Sequence, residues 1–101
     1  MHSYLLLFFP LNFIIKNNKK IKKIVIPSSV VSIENYAFAN CKNLKTIEIR
    51  TTKLKNKKIS SKAFKKINKK VVIRVLMKQR KAYKTLLRKK GLSKANKFKT
   101  L

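Results

Sequence analysis

A short pattern of apolar positions recurs along this chain. Ile33-x-x-x-Ala37-Phe38 returns as Ile59-x-x-x-Ala63-Phe64, and nine residues after each Phe an alternating triplet begins, at Ile47-Glu48-Ile49 and Ile73-Arg74-Val75. An earlier triplet stands at Ile24-Val25-Ile26. Apolar-polar alternation is the mark of a half-buried strand. Self-similarity with a period in the twenties is the mark of a solenoid, in which each unit buries its apolar face only against its neighbours.

The pattern predicts parallel strands at 24–26, 47–49 and 71–75. Ile21 and Ile24 match Leu44 and Ile47 at an offset of 23. Side chains alternate along a strand, so each outer pair points inward and Val25, Glu48 and Arg74 point out in one row, beside a second row of Lys23, Thr46 and Val72. Pro27 ends the first strand because it cannot donate to a ladder. Ser28 and Ser29 turn the chain, and Ser32 is placed to cap a short helical turn carrying Ala37 and the core residue Phe38, with Glu34 near its positive end. In the second copy Ser60 or Ser61 takes the capping place, and Phe64 and Ile67 replace Phe38 and Cys41. Between Ile49 and Ile59 this copy is three residues longer and highly charged, which reads as a surface loop. Glu48 and Arg74, on adjacent strands, are expected to pair.

After Val75 the period breaks. Met77, Ala82, Tyr83, Leu86 and Leu87 share one side of a helix expected over 78–90. Gly91 stands where a left-handed helix terminus is wanted. Residues 93–101 read as a basic tail. At the other end, residues 1–15 are apolar but too short to span a bilayer. They have the length of an export-signal core without its flanking charge or cleavage site, and read as a degenerate signal or as a truncated repeat or strand. Three segments follow: 1–20 apolar, 21–76 repeats, and 77–101 basic capping helix and tail.

The run from Ile24 to Ile49, IVIPSSVVSIENYAFANCKNLKTIEI, resembles a BspA-type leucine-rich repeat, whose pattern is approximately I-P-x-S-V-x-S-I-G-x-x-A-F-x-x-C-x-x-L-x-x-I-x-I. Glu34 replaces the common Gly. The resemblance extends over roughly residues 21–99. It implies an α/β fold, a short right-handed leucine-rich-repeat β–α solenoid with parallel strands and a C-terminal capping helix. It also implies a secreted or cell-surface protein that binds proteins or host surfaces without catalysis. With so few repeats, the chain is expected to be the C-terminal portion of a longer adhesin-like array.

Charge adds a second theme. Lys and Arg number 28 against two carboxylates, a net charge of +26, and residues 53–101 hold none of the carboxylates. Such a half is drawn to polyanions, and Lys78, Arg80, Lys81, Lys84, Arg88, Lys89 and Lys90 are the expected contacts for nucleic acid or an anionic envelope. No helix-turn-helix, zinc-finger or RNA-recognition signature accompanies them. No enzyme is expected: His2 and Cys41 have no orienting partner, Glu34 and Glu48 are explained by structure, and neither a metal-ligand spacing nor a Gly-rich phosphate loop is present. The expectation is therefore a protein or cell-surface ligand, with no cofactor, small-molecule substrate or membrane span. The candidate binding face is Lys23, Val25, Thr46, Glu48, Val72 and Arg74.

Overall fold

Ile24 and Ile26, Ile47 and Ile49, and Ile73 and Val75 line up in two fully buried rows. The computed structural model that shows this describes residues 4–6 and 16–101. Its strands are β1 (Tyr4–Leu6), β2 (Lys23–Ile26), β3 (Thr46–Ile49), β4 (Val72–Val75) and β5 (Phe98–Thr100), all parallel and side by side in chain order. Parallel neighbours need a crossover, and the crossovers after β2, β3 and β4 supply the opposite wall of the core. The expected strands are present within a residue or so of their bounds. β1 falls within the apolar opening, whose remaining residues, read above as export signal or truncated repeat, lie outside the described residues.

The crossovers after β2 and β3 are not the helical turns expected of Ser32 and Ser60. The stretches carrying Ala37-Phe38 and Ala63-Phe64 are successive tight turns, because Tyr36, Asn40 and Lys66 sit at φ 57°, 58° and 60°, and the crossover after β3 adds one 3-10 turn at Asn56–Lys58 ahead of them. A left-handed residue cannot continue a right-handed helix. Asn17 (φ 64°), Asn40, Lys66 and Gly91 (φ 104°) form a series of positive-φ positions spaced by 23, 26 and 25 residues. Those are the spacings of Ile24, Ile47, Ile73 and Phe98 in the sheet. Front and back of the solenoid therefore advance in step. Main-chain bonds tie the backs together: Asn17 N–H to Ala39 O, Asn40 N–H to Lys66 O and Phe64 N–H to Lys90 O, at 2.8, 3.2 and 2.8 Å.

Asn tolerates the left-handed region better than Lys. Lys66→Asn is expected to raise stability by about 0.5 kcal/mol, read as a shifted urea midpoint at unchanged slope. The Lys66 ammonium lies 5.9 Å from the Tyr36 ring centre, the outer limit of a cation–π contact, so its loss offsets little.

The last crossover does contain a helix, α1 (Arg80–Lys89), entered through a 3-10 turn at Met77–Gln79. Tyr83 and Leu87 are buried and Leu86 packs beside them, whereas Met77 and Ala82 are exposed, so the apolar side is narrower than expected. The segment beyond Gly91 is not a solvated tail. Phe98 is buried, Ile73 pairs with Phe98 and Val75 with Thr100, and α1 is thus the back of one more coil. Its strand was hidden by the surrounding lysines.

A row of asparagines also runs along the coils ahead of the strands. Asn43 donates to Lys19 O at 2.6 Å and Asn68 to Lys42 O at 3.0 Å; fully buried Asn96 donates to Asn68 O at 3.0 Å and Val71 O at 2.9 Å. The Asn43, Asn68 and Asn96 bonds to Lys19 O, Lys42 O and Val71 O satisfy carbonyls at the turns, and Asn96 adds a second bond to Asn68 O, which also accepts from Val71 N–H at 3.0 Å.

Candidate binding face

The outward row runs Val25, Glu48, Arg74, Lys99 across β2 to β5, and Lys23, Thr46, Val72 stand beside it. Alternation places these side chains on the outer face, yet the row is not uniformly open. Val25 and Glu48 are buried, Lys23, Thr46 and Val72 are half-buried, and Arg74 and Lys99 are exposed.

Glu48 does not take Arg74 as its ion-pair partner, although the two are in register. Its Oε2 accepts from Arg50 Nε at 2.6 Å and its Oε1 lies 3.4 Å from Lys23 Nζ. Arg50 is two residues further along the same chain face and therefore reaches the carboxylate without crossing a strand. Burial works to raise the Glu48 carboxyl, but the Arg50 hydrogen bond and charge, helped by Lys23, outweigh it and hold the group below its ordinary 4.5. A lowered folded value means that the carboxylate stabilises the fold above pH 4.5 and that this contribution is lost as pH falls. Acid titration of stability is expected to show that loss in the native chain and to lack it in Glu48→Gln.

Among the described residues no carboxylate pairs with Arg74. The open part of the face is accordingly cationic and lies at its β4–β5 end. Arg80 belongs there too, donating from Nη2 to Phe98 O at 3.5 Å, and together with exposed Met77 it borders a shallow hollow lined by Arg74, Phe98, Lys99 and Thr100. Lys99 was missed as part of the face because β5 was read as a tail, and Met77 because it was placed on the apolar side of the helix. The usable signal was Phe98-Lys99-Thr100, which repeats the alternation of Ile73-Arg74-Val75 at an offset of 25.

The basic residues of the C-terminal half divide by position. Lys78, Arg80, Lys81 and Lys89 are exposed, and Lys84 and Arg88 are half-buried. The Arg88 guanidinium lies 5.6 Å from the Phe98 ring centre. Lys90 turns inward: it is only 9% exposed, and its Nζ donates to Asn56 O at 2.9 Å. The charged insertion after β3 is held in the same way. Leu54 and Thr51 are buried, and Tyr83 of α1 donates its hydroxyl to Thr51 O at 2.6 Å while accepting from Leu54 N–H at 3.4 Å. Burial raises the Tyr83 hydroxyl above its ordinary value against the opposing Leu54 bond. Tyr83→Phe leaves both buried main-chain groups unpartnered, so it is expected to cost about 1–3 kcal/mol in a thermal melt, with faster amide exchange at Leu54.

Cys41 is buried, and desolvation pushes its thiol up despite hydrogen bonds from the Asn18 and Asn17 main chain, which disfavours the thiolate. Among the described residues no three His, Cys, Asp or Glu side chains gather as a metal site. None of the helices described is long and apolar enough to cross a membrane.

The family model described as BspA type Leucine rich repeat region (6 copies) matches residues 12–85. No curated protein and no solved structure matches the chain. The match covers most of the residues from the N-terminal apolar segment into α1, and the stacked parallel strands and repeating crossovers are those of a leucine-rich-repeat solenoid. The chain belongs to the BspA-type leucine-rich repeat family, a family of binding modules.

Proposed function

We propose that the chain is a non-catalytic protein-binding module, part of a secreted or cell-surface adhesin-like protein, that engages its partner through the β4–β5 end of the outer sheet face. The observation that carries this reading is the asymmetry of that face. Glu48 is satisfied by Arg50 and Lys23, whereas Arg74 and its register neighbour Lys99 are exposed with no carboxylate partner among the described residues. Exposed cations on a rigid sheet suit recognition of an acidic protein surface, since electrostatic complementarity supplies specificity and speeds encounter.

The test is binding of the chain to immobilised host-matrix and envelope fractions, with Arg74→Ala and Lys99→Ala compared against Lys62→Ala and Lys69→Ala on the crossover side. Loss confined to the first pair, with binding retained at about 0.3 M salt, supports a shaped interface. Equal loss in all four, together with collapse in salt, would overturn it.

A second reading is nonspecific polyanion binding. It is favoured by the exposed Lys78, Lys81 and Lys89 and by the pinning of the lysine-rich insertion against α1 through Tyr83 and Lys90. Counterion release would then give a steep dependence on salt.

A further inference from the structure

The cationic end of the face adjoins a sheet edge. β5 pairs only with β4 among the described strands. Lys97 O accepts from Ile73 N–H at 2.8 Å and Leu101 N–H donates to Val75 O at 2.9 Å, so the odd-numbered residues of this stretch turn their main chain toward β4. Main-chain groups alternate along a strand, and those of Phe98 and Thr100 therefore face away from the sheet. Among the described residues no partner takes the N–H of either. The Phe98 carbonyl has only the 3.5 Å bond from Arg80 Nη2.

Resting on the binding reading above, we propose that this edge takes an extended acidic segment of the partner protein as a sixth strand, its carboxylates lying over Arg74, Lys99 and Arg80. Strand addition draws affinity from main-chain bonds and specificity from alternate side chains. With the segment in register, every second side chain falls on the outer face, next to Lys99, and the two arginines can each grip a carboxylate through two parallel bonds. The occupant is acidic because the cations here have no acid of their own. A second copy of the chain is the other candidate occupant of an open edge. Its charge of +26 opposes such pairing, which would bring Lys99 of each copy to the same seam.

The probe is a fluorescent octapeptide of alternating glutamate and threonine, measured in about 0.15 M salt, where long-range attraction is screened. Two analogues of identical charge are methylated on the glutamate amides or on the threonine amides. The segment is taken to run parallel to β5, as the described strands do to one another, so with its carboxylates on the outer face the glutamate amides are the ones that face β5. The two analogues are expected to differ in affinity about tenfold or more, since one loses its main-chain bonds. In the protein, Thr100→Pro deletes an outward N–H without touching the β4 ladder, a change an edge strand tolerates. It should leave the circular dichroism melt in place and weaken the peptide about tenfold.

Equal affinity of both analogues, undiminished by Thr100→Pro, would overturn strand addition; if Arg74→Ala still weakened the peptide, the face reading would stand without it. Dimerisation seen by sedimentation and abolished by Thr100→Pro would overturn the proposed occupant. Should Thr100→Pro not fold, the two methylated analogues decide on the native chain: an affinity difference of about tenfold supports strand addition, and equal affinity overturns it.

Discussion

Phe38→Ala is expected to unfold the chain, or to leave it near its midpoint at 25 °C, and Phe64→Ala to do the same. The two rings are 0% and 1% exposed, and their centres lie 5.3 Å apart at a tilt of 39°. Removing a fully buried phenyl costs about 3–5 kcal/mol, from lost transfer energy and the cavity left behind. Loss of the ring pair adds about 0.5–1.5 kcal/mol beyond the area term. Small domains hold only about 5–15 kcal/mol in total, and one carrying this charge stands toward the low end. The surrounding coils cannot readily close the gap, because their spacing is fixed by the strand ladder on one side and the crossover bonds on the other. Urea titration checks this, and the double variant should cost less than the sum, since both rings line the same cavity. Neutral melts for both substitutions would contradict the stacked-coil core.

Gly91→Ala is expected to cost about 2–5 kcal/mol, a large effect for one methyl group. Gly91 ends α1 at φ 104°, and its neighbour Leu92 closes the terminus with an N–H bond to Leu87 O at 3.1 Å. A side chain at such a φ is strained by about 1–2 kcal/mol. Space is the larger problem: a Cβ would stand 2.7 Å from Lys65 Cγ and 2.9 Å from Lys65 N. The Cγ belongs to a flexible side chain and can move; the nitrogen belongs to the stacked backbone and cannot without shifting the coil, and such overpacking costs a further 1–3 kcal/mol or about that. Lys65→Ala retains Cβ but removes Cγ. Combined with Gly91→Ala, it should recover only part of the loss, whereas full recovery would locate the clash in the side chain alone.

The strands and their inward partners were legible because alternation at β2, β3 and β4 is written in branched apolar residues bracketing a different one. The same alternation in β5 uses Phe98, Lys99 and Thr100 amid Lys94, Lys97 and a terminal Leu, and periodicity over three residues does not stand out against that background. The two Phe positions were read as core from their repetition alone, and they are. The crossovers were misread because Ser32 and Ser60 satisfy the rules for a helix start, while Tyr36 and Lys66, residue types that rarely adopt positive φ, give no local warning of a left-handed turn. The stacking of neighbouring coils imposes that conformation. At the candidate face the rows and their register followed from the repeat. The partner of Glu48 did not, because Arg50 lies beyond the strand and its reach is a matter of side-chain geometry.

The insertion has a consequence for how the molecule comes apart. Thr51 donates its hydroxyl to Val30 O at 2.7 Å, and its carbonyl receives the Tyr83 hydroxyl at 2.6 Å. One buried residue thus links the crossover after β2 to the helix after β4. In a simple stack, melting from one end proceeds unit by unit, each boundary a resting point. Here the release of α1 strips the Thr51 carbonyl and the Leu54 N–H of the Tyr83 hydroxyl and loosens the insertion's hold on the crossover before it. Opening of the C-terminal coil should therefore spread inward, and amides at β4 and β5 should exchange with a common free energy as one cooperative unit.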